Sequence, residues 1–354
     1  MQIKENQPLA PFTTFGIGGP ARWFAEASSE QQIEEAAEWA RKQGVPLFVL
    51  GGGSNLLISD RGFAGLVLHV GLKGIERDGE LFRVGAGEDW EHFVKQAVEC
   101  GCAGIECLAG IPGTVGGTPV QNVGAYGQEV ASVIERVRAF DLETQGFTEF
   151  QNGECGFAYR RSRFNAMDRG RFIVTRVDYR LTPRSAPALR YAELQRAMEA
   201  SRSSGGEPIG EPSLKEVAEA VRRIRRSKGM LLVDGDPDCR SAGSFFKNPV
   251  VSEELFQEIA ARSTAKGPPR FPSGPGAENA GRVKVPAAWL IEQAGFAKGY
   301  TMGNAGISSR HTLALINLGG ATAGEILALA DRIAAAVEAQ FGVRLELEPV
   351  LVGS

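Results

Sequence analysis

The pattern of apolar positions predicts a first helix over residues 28–44. Its apolar side chains recur every three or four residues, which is the spacing of one helical face. A capping box of Ser29 and Gln32 predicts where the helix starts, and Gly44 predicts where it ends. The buried face is predicted to consist of Ile33, Ala36, Ala37 and Ala40.

Short apolar runs after this helix predict strands. The runs at 46–50 and 66–70 have the length of buried strands. A third run, Phe-Arg-Val, leads into a second helix whose apolar face is Trp90, Phe93, Val94 and Ala97. Between about 133 and 182 the pattern again favours strands. Helices and strands interleave, so we expect an α+β fold.

The C-terminal part of the chain predicts a long helix followed by a strand. Thr322 and Glu325 form a capping box, and Gly342 ends the apolar periodicity. Residues 343–352 then alternate between apolar and charged side chains until Pro349 interrupts the alternation.

Two segments rich in turn-forming residues separate these elements. Residues 200–213 are rich in Ser, Gly and Pro, so we expect a linker between domains there. Residues 266–281 have a similar composition and predict a long surface loop.

Composition excludes several classes of protein. The 354 residues carry a formal net charge of −3, with 43% hydrophobic and 23% charged residues. Wholesale disorder and a dedicated nucleic-acid binder are both disfavoured. The chain shows no signal-peptide pattern and no run of apolar residues that could span a membrane. An odd count of five cysteines does not suggest a secreted disulfide framework, so we expect a cytoplasmic protein that is not membrane-bound.

Glycine is the outlier in composition, with 45 residues against a usual share of ~7%. Three glycine-rich turns lie at 51–55, 85–87 and 112–117. Successive backbone N–H groups in such turns bind anions, so these turns predict a phosphate-bearing cofactor. Neither the Rossmann nor the Walker spacing of glycines is present. No cluster of His and Cys has the spacing of a metal site, and no metal is expected.

The run at 222–228 is the densest basic cluster of the chain. It fits a solvated helix face, a nucleic-acid surface or a clamp for a diphosphate. The net charge and the absence of interleaved aromatic residues weaken the second interpretation.

Ser244 lies in the segment Gly-Ser-Phe-Phe-Lys-Asn-Pro, which lacks the spacing of a hydrolase nucleophile. A hydroxyl can instead deliver a proton to a carbanion or enolate, if cations and acids stabilise the charge. The candidates for that help are Arg160 or Arg161 and Glu346 or Glu348. The residues alone do not choose among them.

These motifs together resemble the UDP-N-acetylenolpyruvoylglucosamine reductases of bacterial peptidoglycan synthesis. The resemblance covers nearly the whole chain in order and spacing. Its motifs are TTFGIGG at 13–19, LGGGSNLL at 50–57, GIPGTVGGTPVQNVGAYG at 110–127, CGFAYRRSRF at 155–164, AGSFFKNP at 242–249 and LELEP at 345–349.

The fold that the resemblance implies is the flavin fold of the p-cresol methylhydroxylase/vanillyl-alcohol oxidase type, with two FAD-binding subdomains and an α+β substrate-binding domain. We expect the first subdomain at 1–72 and the second at 73–212, joined by a C-terminal strand at 343–354. The substrate-binding domain is expected at 213–342.

The resemblance also implies roles for individual residues. Arg160 corresponds to the arginine that stabilises the enolate, Ser244 to the serine that protonates C2, and Glu348 to the glutamate that shares this work. Substrate contacts are implied for Tyr159, Tyr191, Lys228 and Asn248. Contacts to non-covalently bound FAD are implied for Gly51, Gly52, Gly53, Ser54, Asn55, Pro112, Gly113, Thr114, Gly116, Gly117 and Arg225.

One segment departs from the family pattern. Residues 229–240 are longer than the Leu-Pro-Asp-Pro segment that usually follows the family's lysine, which here is Lys228. A tyrosine like Tyr191 is typical of the subtype that closes a tyrosine loop over the substrate (type I).

The implied reaction is the NADPH-dependent reduction of UDP-N-acetylglucosamine enolpyruvate to UDP-N-acetylmuramate. Hydride passes from NADPH to the flavin and from the flavin to C3 of the substrate, with NADPH leaving before the substrate binds. We expect a monomer that binds no nucleic acid. The alternatives are another FAD-dependent oxidoreductase of the same fold that acts on a sugar or sugar nucleotide, and a UDP-sugar binder without flavin.

Overall fold

The computed structural model describes residues 1–187, 189, 191–203, 211–263, 267–273 and 280–353. The chain forms two compact units. The first unit comprises residues 1–7, 21–53 and 64–227, and the second comprises residues 8–20, 54–63 and the chain from 228 onward. The division into three domains at 72, 212 and 342 stays a prediction.

The described residues form seven helices, which are α1 (Glu30–Gln43), α2 (Trp90–Glu99), α3 (Ala192–Ser203), α4 (Leu214–Ser227), α5 (Glu253–Arg262), α6 (Ala287–Gln293) and α7 (Ala323–Phe341). They include the predicted segments of α1, α2 and α7 and the basic run in α4, whereas α3, α5 and α6 were not predicted.

The strands are short, and several of them are single pairs of residues. They are β1 (Ile3–Pro8), β2 (Pro20–Ala27), β3 (Leu47–Leu50), β4 (Leu56–Ile58), β5 (Phe63–Val70), β6 (Ile75–Asp78), β7 (Leu81–Gly85), β8 (Cys102–Ala103), β9 (Gly124–Ala125), β10 (Gln128–Glu129), β11 (Ile134–Asp141), β12 (Gly146–Gln151), β13 (Phe172–Arg180), β14 (Thr182–Pro183), β15 (Val250–Ser252), β16 (Phe271–Pro272), β17 (Arg282–Lys284), β18 (Thr301–Met302), β19 (Ala305–Ile307), β20 (Leu315–Asn317) and β21 (Val350–Val352).

The first unit is built on two sheets. One has the strand order β1-β2-β5-β3, with β3 and β5 parallel, and the other is a five-stranded sheet of order β12-β11-β13-β7-β6. Helix α1 buries the four predicted apolar residues, and α2 buries Trp90, Phe93, Val94 and Ala97. The predicted faces of both helices are therefore confirmed.

The second unit packs α5, α6 and α7 with small sheets of order β15-β17-β16 and β18-β19-β20. Helix α7 begins at the predicted capping box of Thr322 and Glu325 and ends at Gly342 in the left-handed conformation. Strand β21 pairs in parallel with β4.

Two local predictions are wrong. Ser29 accepts a hydrogen bond from Gln32 N, but the Gln32 side chain accepts from Ser28 N rather than from Ser29, so the capping box is shifted by one residue. The alternating segment 343–348 is not part of a sheet ladder, and only Val350–Val352 form a strand. Leu347 makes one isolated bridge with Phe246, so alternation here reflects one-sided burial of an extended chain.

Parts of two predicted loops lie outside the described residues. Residues 204–210 and 274–279 are not described, and these cover half of the expected linker and part of the expected surface loop. Helix α3 ends at Ser203, within the segment that the sequence analysis assigned to the linker. Phe271–Pro272 form the short strand β16.

Helix α1 is attached to the five-stranded sheet through Glu30, its first residue. The Arg138 guanidinium on β11 donates to both Glu30 carboxylate oxygens, at 2.8 and 3.0 Å. The Thr175 hydroxyl on β13 donates to Glu30 Oε1 at 2.8 Å. These bonds to Arg138 lower the pKa of the Glu30 carboxyl below its ordinary value of 4.5.

We expect Glu30→Gln to lower the melting temperature at neutral pH by about 2–4 °C, the shift that ~1 kcal/mol produces in a unit of this size. Because the pKa of Glu30 is lowered in the folded state, its stabilisation is complete above about pH 4.5 and is lost as the pH falls through the lowered value. Thermal melts from pH 7 to pH 3 should therefore show the two proteins converging. Glu34→Gln, on the exposed face of the same helix, is the matched control. A difference that does not change with pH would contradict this role for Glu30.

Candidate active site

Two glycine turns of the first unit pack backbone against backbone. A Cβ atom added to Gly52 would lie 2.6 Å from Gly113 Cα, and one added to Gly51 would lie 2.8 Å from Thr114 Oγ1. Both distances are shorter than any ordinary contact, so this junction has no room for side chains. The turn after β3 and the turn at 112–117 therefore form one continuous backbone surface in the first unit.

Several amides of the 112–117 turn already have acceptors within the protein. Val115 N donates to Glu88 O at 2.9 Å, and Gly116 N donates to Ala86 O at 2.8 Å. Gly117 N donates to Thr114 O at 3.0 Å. These bonds hold the turn in shape, and a phosphate would have to find its donors at the other amides of the two turns.

Arg225, the residue of the basic helix α4 that is predicted to contact the cofactor, is buried in the first unit. Arg225 is only 6% exposed, and its Nε donates to Gly110 O at 2.9 Å, two residues before Pro112. Gly110 N donates in turn to Glu91 Oε2, and Glu91 Oε1 accepts from Arg222 Nε at 2.6 Å. Two arginines of the run are thus used within the unit, which argues against a nucleic-acid surface on this face.

Arg160 lies at the tip of a tight turn in the first unit. Ala158 and Arg161 exchange two backbone hydrogen bonds of 2.9 and 3.1 Å, and Tyr159 and Arg160 connect them. Arg160 has φ +54°, a left-handed conformation that costs energy for a residue with a side chain. Its Nη1 donates to Gly124 O at 2.9 Å. Strain of this kind in a folded protein is often found at functional sites.

Tyr191 packs edge to face on Tyr126, with 5.7 Å between the ring centroids. Tyr126 also hydrogen-bonds Arg225, and burial raises the pKa of its hydroxyl to about 12, so the hydroxyl stays protonated. Burial likewise raises the pKa of Tyr191. Tyr126 is absent from the residues assigned by sequence, although its motif, Asn-Val-Gly-Ala-Tyr-Gly, carried a signal that could have identified it.

Ser244 and Glu348 lie on two paired segments of the second unit. Glu348 N donates to Phe245 O at 3.0 Å, and Lys247 N donates to Glu346 O at 2.9 Å. Phe245 and Phe246 are buried on either side of this pairing, while Ser244 and Glu348 remain half-buried. The pairing brings together the serine and the glutamate that the sequence resemblance assigns to proton transfer.

Asn55 supports Glu348 from the other side. Its Nδ2 donates to Glu348 O at 3.3 Å, and its backbone carbonyl accepts from Val350 N at 2.9 Å. Asn55 therefore holds the backbone of the segment that carries Glu348. The sequence resemblance assigned Asn55 to the cofactor only, and this second use was missed because it depends on a contact 293 residues away.

The N-terminal motif at 13–19 lies against the Ser244 segment in the second unit. The Thr14 hydroxyl donates to Ser241 O at 2.6 Å. The rings of Phe15 and Phe245 meet edge to face with centroids 6.2 Å apart. This packing gives a structural reason for the motif.

The longer segment 229–240 after Lys228 is held by an ionic cluster in the second unit. The buried Asp238 carboxylate accepts from Ser309 Oγ at 2.7 Å and from Arg310 Nε at 2.8 Å. Arg310 also binds Asp236, and these bonds help to lower the pKa of both aspartates against the opposing effect of burial. A Cβ on Gly229 would lie 3.0 Å from Asp238 Cβ, so the chain next to Lys228 rests directly on this cluster.

The side-chain oxygen of Asn248 already accepts a hydrogen bond within the protein. Its Oδ1 accepts from Ala287 N, the first residue of α6, at 2.9 Å. A contact from Asn248 to a substrate would therefore come from its Nδ2 amide.

Neither a metal site nor a membrane span is evident in the part of the chain that the structure describes. No group of three or more His, Cys, Asp or Glu residues there could hold a metal ion. No helix there is both long enough and apolar enough to cross a membrane.

Comparison with known proteins gives two domain matches along the chain. Residues 21–145 match the profile of an FAD binding domain, and residues 236–352 match that of the UDP-N-acetylenolpyruvoylglucosamine reductase C-terminal domain. The reductase of Streptomyces coelicolor is 46% identical over all of this chain and 91% of its own length. That of Thermobifida fusca is 45% identical over 98% of this chain and 97% of its own.

A solved structure agrees with these sequence relatives. The structure of UDP-N-acetylenolpyruvylglucosamine reductase from Thermus caldophilus superposes with a TM-score of 0.66 at 28% identity, and it covers 99% of both chains. The predicted flavin-binding α+β fold is confirmed by this match and by the FAD binding domain. Full-length identity of this extent, with both domain matches in order, shows that the chain belongs to the UDP-N-acetylenolpyruvoylglucosamine reductase family.

Proposed function

We propose that this chain catalyses the NADPH-dependent reduction of UDP-N-acetylglucosamine enolpyruvate to UDP-N-acetylmuramate, a step of peptidoglycan synthesis. The observation that supports the proposal most directly is the backbone pairing of Phe245–Lys247 with Glu346–Glu348, which joins the segments that carry Ser244 and Glu348. Family membership supports the same activity.

The residues of the first unit fit a bound FAD. The glycine junction leaves an exposed backbone surface without side chains, and a buried arginine borders it at Gly110. Gly51, Gly52 and Gly53 would hold the pyrophosphate together with Pro112, Gly113 and Thr114, while Gly116 and Gly117 maintain the turn. When bound, the flavin supplies the hydride that NADPH first delivers to it.

The chain's own residues manage the charge and the proton of the substrate. Negative charge develops at C2 and the carboxylate of the enolpyruvyl group as C3 is reduced. Arg160 stabilises this charge through its guanidinium, and Ser244 donates its hydroxyl proton to C2. Glu348, in its protonated form, assists at the same carbon. Preorganisation of these donors by the backbone bonds described above is the main contribution of the protein.

Binding of the sugar nucleotide is assigned to Tyr159, Tyr191, Lys228 and Asn248. Lys228 suits the diphosphate because an ammonium group forms charge-assisted bonds with phosphate oxygens. Tyr191 belongs to the tyrosine loop of the type I subtype. We also propose that the enzyme works in the cytoplasm as a monomer, where its nucleotide substrate and NADPH are available.

Anaerobic half-reactions test the activity directly. NADPH should bleach the flavin absorbance of the purified protein near ~450 nm, and the enolpyruvyl sugar nucleotide should restore it. Bleaching without restoration by this substrate would favour the alternative, another flavin oxidoreductase that acts on a sugar or sugar nucleotide.

Gly52→Ala should abolish FAD retention. Its new Cβ would lie 2.6 Å from Gly113 Cα, and neither backbone can move away without separating the two turns. The ratio of flavin to protein absorbance after purification measures the effect. Gly153→Ala is the matched control, since a Cβ there meets nothing within 4 Å. Normal flavin content in Gly52→Ala would remove the glycine junction from the cofactor site.

Ser244→Ala should separate the two half-reactions. Reduction of the flavin by NADPH needs no proton at C2, so its rate should stay within about 3-fold of the parent. Reoxidation by the enolpyruvyl substrate should slow by about 10²–10⁴, the usual contribution of a positioned acid. Ser244→Cys should retain more activity than Ser244→Ala because a thiol can still donate a proton. Stopped-flow absorbance decides the matter, and equal slowing of both steps would show that Ser244 is not the acid.

Glu348→Gln should slow reoxidation by at least about 10-fold, while Glu346→Gln should leave it nearly unchanged. The two residues are close in sequence, but Glu346 is exposed and pairs with Lys247 at 3.3 Å, so it provides a matched control. Rates for both variants come from the same stopped-flow traces. Equal effects, or the reverse order, would mean that the catalytic role belongs to the other glutamate.

A further inference from the structure

Asn122 is a buried residue with an uncommon backbone conformation. It is only 1% exposed, and its φ of +45° lies in the left-handed region that favours glycine. Tyr126 and Arg160 in the first unit also have positive φ, at +49° and +54°. Asn122 and Tyr126 belong to one loop, and that loop is bonded to the turn that carries Arg160.

The Asn122 side chain joins three segments of the first unit. Its Oδ1 accepts from Ala131 N at 3.1 Å. Its Nδ2 donates to Glu129 Oε2 at 3.0 Å and to Ala158 O at 3.1 Å. Ala158 O is also the acceptor for Arg161 N, which closes the turn around Arg160.

Two further bonds connect the same loop with the same turn. The Ser162 hydroxyl donates to Val120 O at 2.7 Å, and Arg160 Nη1 donates to Gly124 O at 2.9 Å. The Arg160 guanidinium therefore binds the same loop that Asn122 connects to the Ala158–Arg161 turn. If the Asn122 bond were lost, the turn and its strained residue could relax, and the guanidinium would move with them.

We propose that Asn122 is a positioning residue for Arg160, which it orients through the carbonyl of Ala158. The inference rests on the proposed role of Arg160 in stabilising the enolate. Asn122 does not touch the substrate in this scheme. Its action is specific to the half-reaction that needs the guanidinium, because a displacement of about 1 Å at a charge-stabilising group can cost up to about 100-fold in rate.

Asn122→Asp keeps the shape and the Oδ1 acceptor but replaces the amide donor that binds Ala158 O. Reoxidation of the reduced holoenzyme by the enolpyruvyl substrate should slow by about 10- to 100-fold, whereas flavin content and reduction by NADPH stay near parental values. The dissociation constant of the substrate for the oxidised holoenzyme, measured by flavin absorbance titration, should change by less than about 3-fold. Asn122→Gly, which tolerates the positive φ, should show the same pattern.

Asn152→Ala is the matched control. The Asn152 Nδ2 also donates to two backbone carbonyls of this unit, Ala131 O and Ile134 O, each at 2.7 Å. Among the described residues, the Asn152 side chain forms no hydrogen bond with the Ala158–Arg161 turn, so its variant should reoxidise at the parental rate. Equal slowing in Asn152→Ala and Asn122→Asp would reduce the effect to general loosening of the unit and overturn the proposal.

A double variant separates this inference from the role proposed for Arg160. If Arg160→Ala slows reoxidation and the addition of Asn122→Asp slows it no further, the two residues act as one unit. If the two effects multiply, or if flavin-loaded Asn122→Asp reoxidises normally while Arg160→Ala does not, Asn122 does not position Arg160. If Arg160→Ala itself reoxidises normally, the assignment of Arg160 fails first. Loss of flavin from both Asn122 variants would assign Asn122 to the cofactor site and also overturn the proposal.

Discussion

The chemistry assigned to the second unit depends on one short backbone pairing, between Phe245–Lys247 and Glu346–Glu348. Two hydrogen bonds and one bridge set the relation between a serine and a glutamate that are 104 positions apart in the chain. Phe245 and Phe246 within the pairing are buried, and Asn55 Nδ2 donates to Glu348 O. Main-chain groups make these bonds, so the pairing itself does not depend on the side chains of Ser244 and Glu348.

In the first unit, the residues proposed to bind the cofactor lie in two glycine-rich turns that pack closely against each other. Gly51 and Gly52 let the two turns approach more closely than a residue with a Cβ atom would allow. Arg225 is buried next to these turns. Its Nε donates to Gly110 O, so part of the buried guanidinium has a hydrogen-bond partner. The high glycine content of the chain is therefore explained in part by a packing requirement of this site.

Helix faces and caps were predictable because they depend on neighbours in sequence. The buried faces of α1, α2 and α7 agree with the apolar periodicity, and only the reciprocal cap bond at Ser28 was shifted. The final strand was mispredicted, since alternating burial does not reveal whether a ladder partner exists. Helix α3 was not predicted, and its last four residues, 200–203, lie in a segment whose composition favours turns.

The candidate site was assigned from motif order rather than from physical reasoning alone. Residues by themselves left Arg160 and Arg161, and Glu346 and Glu348, as equal choices. The members of each pair differ in features that no sequence pattern shows, the positive φ of Arg160 and the exposed ion pair of Glu346, and the proposed roles remain to be tested by the variants. The contacts of Asn55 with Glu348 and of Asn122 with Ala158 could not be predicted either, because these partners are 293 and 36 positions away in sequence.

At Arg160, the left-handed backbone conformation creates a conflict between the stability of the fold and the proposed activity. Glycine would adopt this φ without strain, so a substitution there that favours the fold would remove the guanidinium that we propose stabilises the enolate. A search for thermostable variants that scored melting temperature alone would therefore tend to select inactive protein at this turn. Selection for growth would act in the opposite direction, and the strained arginine would persist as the cost of the reaction.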